Sequence, residues 1–153
     1  MDKFLWVGLG GALGAIFRYG ISLIPLKNHF PILTLITNIL GAFIIGMVVG
    51  LFTKERISPS INLFLKTGVC GGFTTFSTFS LETLTLLEDG FYALAVVYAM
   101  ISVIGCIIGV YLGRIIVQLK HIMMLLFLYY LFVIVYNDGV KVYEFVGGNR
   151  DIS

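Results

Sequence analysis

Residues 67–81 read TGVCGGFTTFSTFSL, with Lys66 before them and Glu82 after. The fifteen residues between those charges include six hydroxyls (Thr67, Thr74, Thr75, Ser77, Thr78, Ser80) and three glycines (Gly68, Gly71, Gly72). A helix facing only lipid has no use for that mixture. Glycine pairs loosen a helix, and hydroxyls re-satisfy the backbone groups that a break sets free. Irregular backbone at membrane depth is tolerated only where protein or a polar cavity surrounds it. Phe76 and Phe79 lie three apart, so a helix presents both rings on one face. The stretch therefore reads as a broken membrane helix carrying the functional site.

The rest of the chain supplies the membrane context. Of 153 residues, 59% are hydrophobic and 12% charged, against roughly 45–50% and about 25% in ordinary soluble domains. Mean hydropathy is +1.03. The expected class is an all-α integral membrane protein in the lipid bilayer, multi-pass and in the cell membrane. Net charge is +2, from 10 basic and 8 acidic residues, too little to point to nucleic acid. Cys70 and Cys106 lie in apolar segments without metal-ligand spacing and read as small packing residues. The amino terminus has no small-residue cleavage site after a short apolar core, so no removable leader is expected.

Around the central stretch the sequence places three further apolar spans, four in all. The first runs from Phe4 to Leu26, interrupted only by Arg18, and is long enough to cross about 30 Å of hydrocarbon. Gly10 and Gly14 give it a small-residue face for close helix approach. Arg18 has two readings, a snorkelling side chain near the interface or a cation in an aqueous vestibule that attracts anions. His29 has no partner at ligand spacing and reads as solvated. The second span, Phe30 to Thr53, is uncharged, with Ala42, Gly46 and Gly50 on a packing face. Thr34 and Asn38 share another face. The asparagine either bonds a neighbouring helix or offers its amide N–H to an anion. The acidic turn Glu88–Asp89–Gly90 separates the third span from the fourth, Phe91 to Gly113. There Gly105, Gly109 and Gly113 form a packing face, and Tyr98, Ser102 and Cys106 recur every four residues beside it.

Beyond Lys120 the pattern changes. Ile122 to Tyr136 is a run of fifteen apolar residues, short of the ~20 that a spanning helix wants. Asn137-Asp138-Gly139 then lies between two β-rich runs, a hairpin signal. A short or interfacial helix is the competing reading, and the sequence leaves both open.

Three segments, GGALGAIFRY (10–19), TLITNILGAFIIG (34–46) and above all GVCGGFTTFSTFS (68–80), resemble the Fluc (CrcB-type) fluoride channels. The likeness covers about residues 4–117. It implies a four-helix subunit with a break in the third helix, assembled as an antiparallel dual-topology dimer with two fluoride pores. By motif, Phe76 and Phe79 resemble the paired pore phenylalanines and Asn38 the pore asparagine. Ser77 and Thr78 match hydroxyl-bearing residues between the rings. Tyr98 and Ser102 fall on the polar track of the fourth helix, with Cys106 where a serine is more usual. Gly71 and Thr74 match positions whose backbone carbonyls hold a structural sodium ion at the dimer centre, and Arg18 resembles the vestibule arginine. The domain reading is then residues 1–120 as the channel and 121–153 as an extension that inherits no family function.

The residues are compatible with that chemistry. An aromatic ring has a negative face and a positive edge. A small hydrated anion entering low dielectric gains from ring edges, amide donors and hydroxyls that replace its water. A proton-coupled four-helix exporter is the main alternative, and it wants an ionisable group deep in a span. Asp2, Glu55, Glu82, Glu88 and Asp89 all read as lying at termini, loops or helix ends, which argues against it. A non-conducting structural half of a heterodimer is a second alternative. No nucleophile–base set or cofactor motif points to an enzyme. With the amino terminus inside, Lys3, Lys54, Arg56, Arg114 and Lys120 are cytoplasmic against Lys27 alone in an outer loop. That bias favours N-in, C-in insertion and an oppositely oriented paralogue as the second subunit.

Overall fold

The structure, a computed structural model, describes residues 2–25 and 29–147. Lys27 of the charge count and the last six residues of the C-terminal extension lie outside the described residues. All regular structure among the described residues is helical: α1 (Asp2–Ser22), α2 (Ile32–Thr53), α3 (Pro59–Asn62), a π-helical segment (Leu63–Cys70), α4 (Gly71–Phe73), α5 (Phe76–Glu88) and α6 (Tyr92–Gly147). Among the described residues, three helices are long and apolar enough to cross a membrane: α1, α2 and the Tyr92–Met124 part of α6. The chain is a multi-pass membrane protein.

Local chemistry sets the element ends. Ser58 caps α3 by accepting the Ile61 N–H at 3.3 Å, with Pro59 following at the first helical position, where its missing N–H costs nothing. Helices α2 and α5 end alike. Glu55 N–H and Arg56 N–H reach back to Phe52 O and Leu51 O, while Gly90 N–H and Phe91 N–H reach Leu87 O and Leu86 O. Both endings need a left-handed residue. Gly90 (φ 79°) supplies it freely, whereas Glu55 (φ 54°) adopts it despite its side chain.

Residues 1–117 form one compact unit. In it, α1 lies against the π-helical segment and α4 along a glycine seam. A Cβ on Gly10 would sit 2.5 Å from Phe64 O, and one on Gly14 or Gly72 would run into Val69 O or Gly11 O. A second seam joins α2 to α6, where a Cβ on Gly109 would sit 3.0 Å from Ile39 O and one on Gly46 or Gly113 would run into Val110 O or Phe43 O. Lipid offers little hydrophobic drive between helices, so such close backbone contact is what holds spans together. A small core of Leu35, Leu86, Ala95 and Tyr98 joins α2, α5 and α6. Large apolar side chains elsewhere, such as Phe4 and Ile16 on α1 and Ile104 and Ile107 on α6, are exposed, as suits a lipid-facing surface.

The described residues beyond Val117 belong to a second unit, helical as far as Gly147. The hairpin expected around Asn137-Asp138-Gly139 is not formed; the segment is helical, as in the competing reading. The physical reason is cooperativity. Extending an existing helix avoids the unfavourable nucleation step, and the two β-rich runs lack the further strands that a lone hairpin needs for stability. A short apolar run cannot be assigned to strand or helix by periodicity alone.

Candidate functional site

The helical backbone running from Pro59 stops at Phe73 and resumes at Phe76. Thr74 (φ −81°, ψ 155°) and Thr75 (φ −148°, ψ 113°) between them are extended. Asn38 on α2 replaces the helical partners lost there. Its Nδ2 donates to Thr75 O at 3.1 Å, and Thr75 N–H donates to Asn38 Oδ1 at 2.8 Å. One amide side chain thus pairs with both polar groups of an extended residue, leaving one Nδ2 hydrogen for another acceptor. Thr75 then caps α5, its Oγ1 accepting the Thr78 N–H at 3.1 Å.

These substitutions release two carbonyls. An unbroken helix would give the Thr75 N–H to Gly71 O and the Thr78 N–H to Thr74 O, but both donors are engaged elsewhere. Gly71 also borders open space, since a Cβ there would meet nothing within 4 Å. Freed carbonyls of unwound membrane helices are ligands suited to a hard monovalent cation. The donor set therefore fits the sodium ion that the family resemblance implies.

A cavity of about 450 Å³ opens beside the break. Among its lining residues are Asn38, Gly71, Thr74, Phe76, Phe79 and Ser102, together with Lys66 and Cys106. The Phe76 and Phe79 ring centroids are 5.3 Å apart with planes tilted by 46°. Phe76 is 76% exposed. Ser102 is only 5% exposed, and its buried Oγ has no hydrogen-bond partner. An unpaired buried hydroxyl in a cavity wall is costly unless something visits it.

The other expected site residues are placed differently. Tyr98 does not line this cavity. It is fully buried, packed against Phe79 at 5.2 Å and Phe30 at 5.6 Å between centroids. Ser77 and Thr78, which follow Phe76 in the chain, gather on the Thr75 hydroxyl at 3.2 and 3.0 Å. Arg18 lines a smaller cavity of about 50 Å³ with Thr34, Thr37, Thr75 and Thr78. Its Nε donates to Gly72 O at 3.2 Å, so α1 is tied to the end of the broken helix. His29 is exposed and stands beside Phe91, 4.9 Å between centroids.

Glu82 corrects the sequence reading. It lies in the middle of α5 rather than at a helix end. Its Oε1 accepts from Thr34 Oγ1 at 2.8 Å and its Oε2 from the Tyr98 hydroxyl at 2.7 Å. The break at Thr74–Thr75 starts a new helix, so a residue that seemed to mark a boundary becomes central to that helix. Its spacing of three from Phe79 is the signal that would have placed it on the ring-bearing face. The premise that every carboxylate lies at a terminus, loop or helix end therefore fails for Glu82.

Comparison with known proteins places this geometry. The family model described as CrcB-like protein, Camphor Resistance (CrcB), matches residues 5–114. The fluoride-specific ion channel FluC of Methanococcus aeolicus is 46% identical over 116 residues, covering 75% of this chain and 94% of the relative. The protein of the same name from Shewanella piezotolerans is 43% identical over 117 residues, covering 74% and 94%. That from Methanocaldococcus jannaschii is 44% identical over 114 residues, covering 74% and 92%. With the matched region spanning the glycine seams, the broken helix and the cavity beside it, the chain belongs to the CrcB family.

Proposed function

We propose that this protein is a passive, fluoride-selective channel that releases fluoride from the cytoplasm across the cell membrane. Residues 1–120 would form the channel unit, with the broken helical segment between Pro59 and Glu88 as its third of four spans. The observation that carries the reading is the cavity where Asn38, Phe76, Phe79 and Ser102 converge in a mainly apolar wall. Each offers positive charge density to an anion: the remaining amide hydrogen of Asn38, the edges of two rings, and the unpartnered hydroxyl of Ser102. Together they replace hydration stepwise, each weakly enough for the ion to leave.

Thr75 links this cavity to the one beside Arg18, whose guanidinium would draw anions towards the site. Glu82, held by Thr34 and Tyr98, buttresses Phe79 through the Tyr98 ring packed against it. Ser77 and Thr78 act by shaping the start of α5 around Thr75. The exposed face of Phe76 and the open side of the cavity support closure by a second, antiparallel subunit, either another copy or an oppositely inserted paralogue, giving two pores per dimer. Gly71 and Thr74 would hold a structural sodium ion through their freed carbonyls. When bound, that ion supplies a fixed charge that locks the broken helix at the dimer centre. No step requires covalent chemistry. Purified protein reconstituted alone into liposomes should release trapped fluoride and retain chloride. Vesicles that retain fluoride both with this protein alone and with an oppositely inserted paralogue reconstituted beside it would overturn the reading.

A further inference from the structure

We propose that Lys66 is the electrostatic recruiter of this cavity, a cation at its wall that raises the local concentration of fluoride before the ion meets Asn38, Ser102 and the phenyl edges. The proposal rests on the channel reading and adds to it a residue that the family motif does not include. Lys66 lies on the π-helical segment one turn before Cys70, and it lines the same cavity as the four anion-facing residues. It is the one charged side chain among the described residues of that lining. No carboxylate lies there to cancel its field, and the low-dielectric wall focuses that field inward.

Two further observations favour a recruiting role over passive snorkelling to the interface. Lys66 is an exposed side chain of the cavity wall, open to an approaching anion rather than buried against protein. Ser102 Oγ, in the same wall and unpartnered, is an independent sign that the cavity takes a polar visitor. Arg18 is committed to the Gly72 carbonyl and lines the other, smaller cavity. Lys66 is thus the cation of the larger cavity's own wall, with Arg18 acting from the neighbouring one.

The test is initial fluoride efflux from liposomes as a function of fluoride concentration and of ionic strength set with an impermeant salt. Recruitment acts on entry, so Lys66→Gln should lower efflux at limiting fluoride by roughly three- to tenfold at low salt. The saturated rate should stay within about twofold. Lys66→Glu should be worse, and Lys66→Arg should match wild type. At about 1 M salt, where screening acts within ~3 Å, wild type and Lys66→Gln should converge. Equal efflux by wild type and Lys66→Gln at low salt would overturn the proposal. So would a loss that ignores both salt and fluoride concentration, because that marks a structural role. Should Lys66→Gln insert poorly on gel filtration, the wild-type salt profile decides, and a flat profile overturns the proposal. Wild-type vesicles that release no fluoride, with or without an oppositely inserted paralogue, would overturn the channel reading and this inference together.

Discussion

The two halves of the broken third helical segment behave oppositely. Before the break, Gly68, Cys70 and Phe73 are buried, and the backbone lies directly on the glycines of α1. After it, Phe76 is largely exposed, Ser77 and Ser80 are exposed, and α5 buries only Leu86 fully. Both halves are helical and their sequences are similarly mixed. What separates them is the partner: a rigid seam on one side, a cavity and an open face on the other. The first half chiefly fixes position, with Lys66 and Gly71 on its cavity side, and the second presents the two rings.

Substitutions should therefore fail in different ways on the two sides of Thr74–Thr75. The largest effect is expected in the seam. Gly72→Val places a side chain against the Gly11 carbonyl, and both neighbours are backbone that cannot step aside. Overpacking of this kind costs about 1–3 kcal/mol or more. The variant should lose its sharp gel-filtration peak, and a well-assembled, fully conducting Gly72→Val would show that the seam tolerates separation.

At the break itself, Asn38→Asp removes the donor to Thr75 O and sets a negative charge beside the cavity. The unpaired carbonyl costs about 1–3 kcal/mol, so thermal stability in detergent should drop and fluoride efflux should be abolished. Conduction at the wild-type rate would mean that Asn38 only packs. Beyond the break the effects on efflux become smaller. Tyr98→Phe keeps the ring against Phe79 but takes one donor from Glu82. A bond to a charged group is worth about 1.5–3 kcal/mol, so a lower melting temperature and a partial loss of efflux are expected. An unchanged melting temperature would mean that this bond contributes nothing. Smallest of all, deleting residues 122–153 should leave efflux intact, since they lie outside the unit that holds the site. Loss of conduction by an assembled truncation would bring the C-terminal extension into the channel.

The sequence made the scaffold legible because its signals are local. Glycines four apart mark faces of close approach, and Gly10, Gly14, Gly46, Gly109 and Gly113 all make such contacts. The TFST run carries its own capping chemistry, and Thr75 caps α5 through the Thr78 N–H. What escaped the reading depends on contacts between elements. Glu82 reads as a boundary charge until Thr34 and Tyr98, 48 and 16 residues away, are seen to donate to it. Ser77 turns towards Thr75, a choice set by the cap and invisible in spacing alone. Turn-type residues at 137–139 are accommodated in the helix because no strand partner competes for them.

The measurement that bears most directly on the mechanism is fluoride efflux by the Phe76→Ile, Phe79→Ile double variant, with assembly verified by gel filtration. Isoleucine keeps an apolar side chain of moderate size and removes both positive ring edges. If each edge is worth about 1.4 kcal/mol, occupancy of the site falls about a hundredfold. The predicted result is a well-assembled protein whose fluoride throughput has collapsed. Wild-type efflux from the same assembled variant would show that the rings only pack, and would contradict the assignment of the anion path.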